Sequence, residues 1–191
     1  MITGVTNIGP DIASKFVELL IAVAPGVRRI GFLVDASGPG AGRMKDSVQR
    51  SAPYHSVETM IAEVKRSEDI ELALLRFAKQ GVQALAIMQS PMLSFSRKEI
   101  IRFASAHRWP TVSAVPGWVR DGALLSYGGA PVTEFRRAAY YVDRILRGAK
   151  PADLPIELPT TFEMAVNLKT AKTLGLTLPP EIMVRATIII E

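Results

Sequence analysis

The chain has 191 residues, 48% of them hydrophobic and 21% charged, enough for one generous globular unit or two small ones with a real core. Its +5 charge is spread thinly, and the pairs Arg28-Arg29, Lys65-Arg66 and Arg136-Arg137 lie far apart, so the basic patch that a nucleic-acid partner requires is missing. There is no cysteine, which excludes disulfides, thiolate metal sites and cysteine nucleophiles.

Met1 to Pro10 is polar, glycine-containing and extended in character, and it lacks the basic and apolar regions of a secretion signal. Asp11 to Val23 places Ile12, Phe16, Leu19, Leu20 and Val23 on one face and predicts an amphipathic helix ended by Pro25-Gly26. The apolar run Leu19 to Ala24 is far too short to span a bilayer. Arg29 to Asp35 is a short apolar run between turn signals and predicts a buried strand. A loop over Ala36 to Gly40 follows, then a helix striped by Met44 and Val48 that ends near Ala52-Pro53. Ser56 to Val64 alternates weakly and reads as a second strand.

Ser67 is placed to cap the next helix, with Glu68 and Asp69 in its first turn, Ile70, Leu74, Phe77 and Ala78 inward, and Gly81 as its stop. Val82 to Met88 is almost wholly apolar, as a central parallel strand would be. Ser96 and Glu99 have the spacing of a capping box opening a helix to about His107, and Pro110 to Ala114 reads as a fourth strand. Strand and helix thus alternate, which predicts an α/β fold with a parallel sheet and right-handed crossovers. Gly122 to Gly128 is extended and flanked by glycine.

Phe135, Ala138, Ala139, Val142, Ile145 and Leu146 recur at helical spacing and predict one buried stripe, with Arg144 and Arg147 in the last turn and Gly148 as the stop. Lys150 to Pro155 is a stiff proline-bounded connector. Pro155 to Leu168 is extended, and Pro159 suits an edge or crossing segment better than a central strand. Asn167 to Leu174 predicts a short helix closed by Gly175, with Pro179-Pro180 as a break beyond it.

Enzymatic motifs are missing. Gly38-Pro39-Gly40-Ala41-Gly42 follows a strand and opens a helix, but the dinucleotide fingerprint needs a glycine where Arg43 stands and tolerates no conflict such as Pro39. His55 and His107 stand alone in sequence without metal-ligand spacing, and His107 suits the favourable end of a helix dipole. No nucleophile elbow, zinc-protease motif or P-loop occurs, so no catalytic residue, metal or cofactor is assigned.

The C-terminal block carries a specific resemblance. Arg136-Arg137-Ala138-Ala139, Tyr141-Val142-Asp143, Ile145-Leu146, Gly148 through Pro155, Phe162-Glu163 and Asn167 through Lys172 form a gapless pattern. That pattern resembles the C-terminal end of bacterial ABC-transporter substrate-binding proteins of the periplasmic-binding type I fold. Thr3-Gly4-Val5 with Asn7 is similar to a mid-chain segment of the same family, and Gly122 to Gly128 to its return segment. The resemblance implies a chain that starts near the first inter-lobe crossing. Residues 1–26 would be crossing segment and linking helix, 27–121 a complete second lobe, 122–154 return segment and helix of a partial first lobe, and 155–191 a crossing strand and C-terminal segment. With a half-lobe absent, the stripe of the 135–147 helix would be exposed and promote self-association.

The resemblance also implies a small-solute ligand, amino acids leading, and an ABC permease as membrane partner, with a periplasmic location. As it stands, without a signal, the chain is expected in the cytoplasm. In such a fold the loops after the strands face the cleft. Asp35, Ser37, Ser90, Pro91 and Ser113, with Asn7 at the crossing, are therefore the expected ligand-binding residues. Gln89-Ser90-Pro91 stands where many members have Ser-Asp-Pro, and Ser113 and Pro116-Gly117 where many have a tyrosine and Arg-Glu, so the ligand stays open. Rival readings are a truncated non-functional fragment, a cytoplasmic ligand-sensing domain on this fold, and a nicotinamide-nucleotide enzyme.

Overall fold

The structure, a computed structural model, describes residues 2–6, 12–38, 40–51 and 57–191. Its centre is a seven-stranded sheet. The strands are β2 (Arg29–Asp35), β3 (Glu58–Val64), β4 (Ala84–Ile87), β5 (Thr111–Ser113), β6 (Leu125–Gly129), β8 (Phe162–Asn167) and β9 (Ile188–Ile190). Their spatial order is β3-β2-β4-β5-β6-β8-β9, and every pair is parallel except β6 with β8. The expected α/β architecture with a mostly parallel sheet is what forms.

Helices cover both faces, as central strands buried on both sides require. On one face α1 (Ile12–Val23) buries Phe16, Val17, Leu19 and Leu20, joined by Val48 of α2 (Ala41–Ser51), Ala171 of α8 (Leu168–Leu174) and Ile182 of α9 (Pro180–Arg185). On the other, α3 (Asp69–Lys79) contributes Ile70, Leu74 and Phe77, α5 (Arg97–Ala106) Ile100 and Ala104, and α6 (Pro116–Arg120) Trp118. Gly31 of β2 makes room for this second layer, because a Cβ there would stand 2.9 Å from the Phe77 ring.

A second, smaller body is built from β1 (Gly4–Val5) and β7 (Ile156–Glu157), which pair in parallel, and α7 (Pro131–Leu146). Thr3 Oγ1 donates to the Leu154 carbonyl at 2.9 Å, Tyr141 Oη to the Pro155 carbonyl at 2.9 Å, and Arg137 grips Glu157 through two bonds of 2.6 Å. The Glu157 carboxyl falls to about 2, chiefly through the Arg137 hydrogen bonds.

Several expectations are corrected. The stripe of α7 is not buried: Phe135 is 77% and Leu146 81% exposed, and Tyr141 is the helix's buried residue. Ser67 does not cap α3, whose flanking residue is Glu68 in helical conformation with no side-chain cap bond. Ser96 makes no capping box either, because it also closes α4 (Pro91–Phe95) and its backbone stays near-helical, at φ −88° and ψ 8°.

Leu125–Gly129 is a strand of the large sheet and leads directly into α7, and the C-terminal segment supplies two further strands of that sheet. Pro180 begins α9 rather than only breaking the chain, as a proline at a first helical position can. Pro159 falls in the crossing between β7 and β8.

Candidate functional site

The loops after β2, β4, β5 and β6 emerge at one end of the sheet because these strands are mutually parallel. At that end Asp35 closes β2 and is 8% exposed. Its carboxylate accepts from Ser37 N–H at 2.8 Å and Ser37 Oγ at 2.5 Å, and from Ser90 Oγ at 2.5 Å. Ser90 is the N-cap of α4, where its oxygen also accepts from Leu93 N–H at 3.2 Å, and Pro91 is the exposed first residue of that helix. One carboxylate therefore ties together two loops 55 residues apart in sequence.

Burial pushes the Asp35 carboxyl up, but the bonds from Ser37 and Ser90 together outweigh it and leave it below the ordinary aspartate value. Asp35 is an anion at neutral pH that already accepts three hydrogen bonds. Its chemistry is to position Ser37, which is exposed, and the start of α4.

Ser113 closes β5, pairs with Ile87 and Ser126, and turns its Oγ to the Val115 carbonyl at 3.2 Å, so it stays outside the Asp35 network. Asn7 lies outside the described residues, as does His55. Asp35, Ser37, Ser90 and Pro91 are thus brought together on adjoining strands, and Ser113 sits one strand further along the same edge. His107 ends α5, stacked on Phe103 with ring centroids 4.2 Å apart and its Nδ1 2.9 Å from the Phe103 carbonyl.

Two features at this end were missed in the sequence. Gly128 lies under the loop after β5, and a Cβ on it would come within 2.1 Å of the Ala114 carbonyl oxygen. Only glycine lets that loop rest on the sheet. Tyr127 of β6 stacks on Phe162 of β8 at 5.3 Å with rings 4° from parallel, and Lys15 of α1 approaches the Tyr127 ring at 5.9 Å. The signal for this pair is the antiparallel register that sets Gly129 against Phe162, which depends on a strand pairing that periodicity does not reveal.

A hollow of about 360 Å³ lies at the β3 edge, and one of about 380 Å³ lies between α7 and the 157–161 crossing. Both are lined by other residues. Among the described residues there is no group of three or more His, Asp or Glu able to hold a metal, and no helix long and apolar enough to cross a membrane.

A mostly parallel sheet, clothed on both faces and with its loops gathered at one end beside a small second body, defines a periplasmic-binding-type α/β protein. The chain belongs to the ABC transporter substrate binding protein family, whose profile it matches over residues 1–190. A conserved domain protein from Vibrio cholerae O1 biovar El Tor is 24% identical with TM-score 0.90, over 98% of this chain and 62% of that one. An ABC domain from Streptococcus pneumonia, solved in complex with L-Trp, is 23% identical with TM-score 0.90, over 98% of this chain and 63% of that one. A ligand-free, open substrate binding protein with adhesive properties from Clostridium difficile is 18% identical with TM-score 0.72, over 99% of this chain and 62% of that one. At these identities the likeness shows a shared fold. The chain spans about 62% of the length of these structural relatives. Comparison with curated proteins finds no match.

Proposed function

We propose that this chain supplies one wall and part of the hinge of a solute-binding protein for an ABC importer. In this reading it binds a small solute, with amino acids the leading class, and performs no chemistry on it. The observation that carries the reading is the Asp35 carboxylate bonded to both Ser37 and Ser90 at the carboxyl ends of adjacent strands. Such a tie has no use in a loop free to move, but it presets two ligand-facing loops and lowers the ordering cost of binding. The L-Trp bound by the Streptococcus relative supports an amino acid as solute.

Ser37 and Pro91, both exposed, would face the ligand, with Asp35 and Ser90 holding the loops, Ser113 backing the loop after β5, and Asn7, which lies outside the described residues, as a further expected contact. The second lobe would be the body of the large sheet, with β1, β7 and α7 as the part of the first lobe that this chain carries. The functional partner would be a membrane permease, and the site of action the periplasm. Closure of the lobes on the solute would create the surface that the permease reads, driven by the solute's differential affinity for the closed form.

The test is thermal unfolding with a panel of amino acids, tryptophan included, and small carboxylates. A ligand at one hundred times its Kd stabilises by about 2.7 kcal/mol, a clear rise in midpoint. That rise should disappear with Asp35→Asn while the variant remains folded by circular dichroism. A midpoint unmoved by every compound, in a chain that unfolds cooperatively, would sink the reading and favour a fragment without a working site.

A further inference from the structure

The strand β3 ends the large sheet, and its outer side meets no other strand among the described residues. It is seven residues long and runs parallel to β2 along its whole length without a bulge. Glu58 N–H donates to the Arg28 carbonyl at 2.8 Å and the Val64 carbonyl accepts from Ala36 N–H at 2.8 Å, so the even-numbered residues of β3 point their backbone groups at β2. In a parallel pair alternate residues bond to the same neighbour, which turns the N–H and C=O of Thr59, Ile61 and Glu63 outward. Natural sheets protect such an edge with charged side chains, proline, bulges or a covering segment. Glu58 and Glu63 flank the strand, already paired with Arg29 and Lys45, and its middle carries no charge. Here the edge carries Met60, Ile61 and Ala62, all half-buried, and beside it runs a groove of about 360 Å³ floored by Ile61, Ala62 and Val64 and walled by α3.

We propose that this edge is an interface for a second copy of the chain, the two β3 strands pairing antiparallel about a two-fold axis at Ile61. The charge order of α3 selects this partner. Glu68, Asp69 and Glu71 stand at its N-terminal end and Arg76 and Lys79 at its C-terminal end, with Asp69 and Arg76 both on the groove wall. A two-fold axis through Ile61 runs the two α3 helices antiparallel on the same face of the joined sheet. Asp69 of each copy then faces Arg76 of the other, and the helix dipoles oppose favourably. A parallel arrangement would set like charges together. Centred on Ile61, the strands exchange about six backbone hydrogen bonds, two at Ile61 and two at each Thr59–Glu63 pair. Leu72, 53% exposed at the groove rim, would be covered by the same contact. The surface lies at the sheet's lateral edge, so the pairing leaves the loops after β2, β4 and β5 open to solute.

The test combines sedimentation equilibrium with cross-linking of the full chain. Because the sequence has no cysteine, Ile61→Cys is the sole thiol and should form an intermolecular disulfide under mild oxidation. The wild-type chain should dimerise at micromolar concentration. Arg76→Glu should weaken the dimer at least ten-fold, and Asp69→Arg combined with Arg76→Glu should restore it. Ile61→Pro removes one outward N–H and leaves the β2 ladder intact, so it should give a folded monomer. If Ile61→Pro fails to fold, the charge swap alone decides. A monomeric wild type, an association indifferent to Arg76→Glu and to the swap, or an Ile61→Cys chain that stays uncross-linked would each overturn the proposal. The first would leave the edge to an extended peptide of another protein.

Discussion

At the scale of single residues, two positions hold the loop end of the sheet in shape, and each fails in its own way. Gly128 is a matter of space, because the Ala114 carbonyl occupies the place where a Cβ would sit. Gly128→Ala should therefore cost about 1–3 kcal/mol by overpacking, read as a lower unfolding midpoint, and should move the loop carrying Val115. Asp35 is a matter of charge. Asp35→Asn exchanges a double acceptor for an amide that cannot satisfy Ser37 and Ser90 alike, and should cost about 1–3 kcal/mol. Its pH dependence has a definite sign. The folded carboxyl lies below its ordinary value, so its contribution is complete above that value and is lost as pH falls through the folded one. Wild type and Asp35→Asn should thus differ in midpoint at pH 7 and converge in acid. A difference that stays constant down to strong acid would show that the carboxylate charge has no part in holding the loops.

At the scale of elements, α7 departs most from what its sequence suggests. Its apolar positions have the spacing of a buried stripe, yet Phe135, Val142 and Leu146 face solvent. Phe135→Ser with Leu146→Ser should leave the unfolding free energy within about 0.5 kcal/mol of wild type while reducing concentration-dependent aggregation, because no core contact is lost. A large fall in midpoint would mean that the face is covered in solution. The same helix shows where sequence reading stops. Periodicity locates an element and its apolar side, and did so for α1, α3, α7 and β2. It does not say whether a partner exists to cover that side. The short elements α4, α6, α9 and β9 escaped for another reason: runs of three to six residues hold too few turns for a period to register. The site was legible to the extent that topology dictates it. A strand end followed by Asp35 or Ser90 marks a loop at the sheet's edge, whereas the bond between them depends on β2 and β4 lying side by side.

For the molecule as a whole, the two bodies differ in what holds them. The large sheet is sealed by two apolar layers. The smaller body rests on a two-residue strand pair, the Tyr141 bond to Pro155, and the Arg137–Glu157 grip. In native-state hydrogen exchange the amides of α7 should open well before those of β2 and β4, since local stability follows burial. Strong acid, near pH 2, should widen this gap. Glu157 has its carboxyl lowered to about 2, first by Arg137 and then by Tyr141. Its grip is therefore complete above the ordinary glutamate range and is lost as pH falls through about 2. Glu134, at the start of α7, works the other way. Burial, and then the nearby Glu163, raise its carboxyl, so its ionised form costs stability at neutral pH and that cost is relieved on acidification. Between neutrality and the glutamate range the junction of α7 with β6 should thus tighten, and nearer pH 2 the contact of α7 with β7 should release. Exchange rates for α7 amides across this range would pass through a minimum after correction for the intrinsic pH dependence of exchange. Glu134→Gln should remove the first limb and Glu157→Gln the second. A monotonic profile in the wild type would mean that these two carboxylates do not control how the small body is attached to the large one.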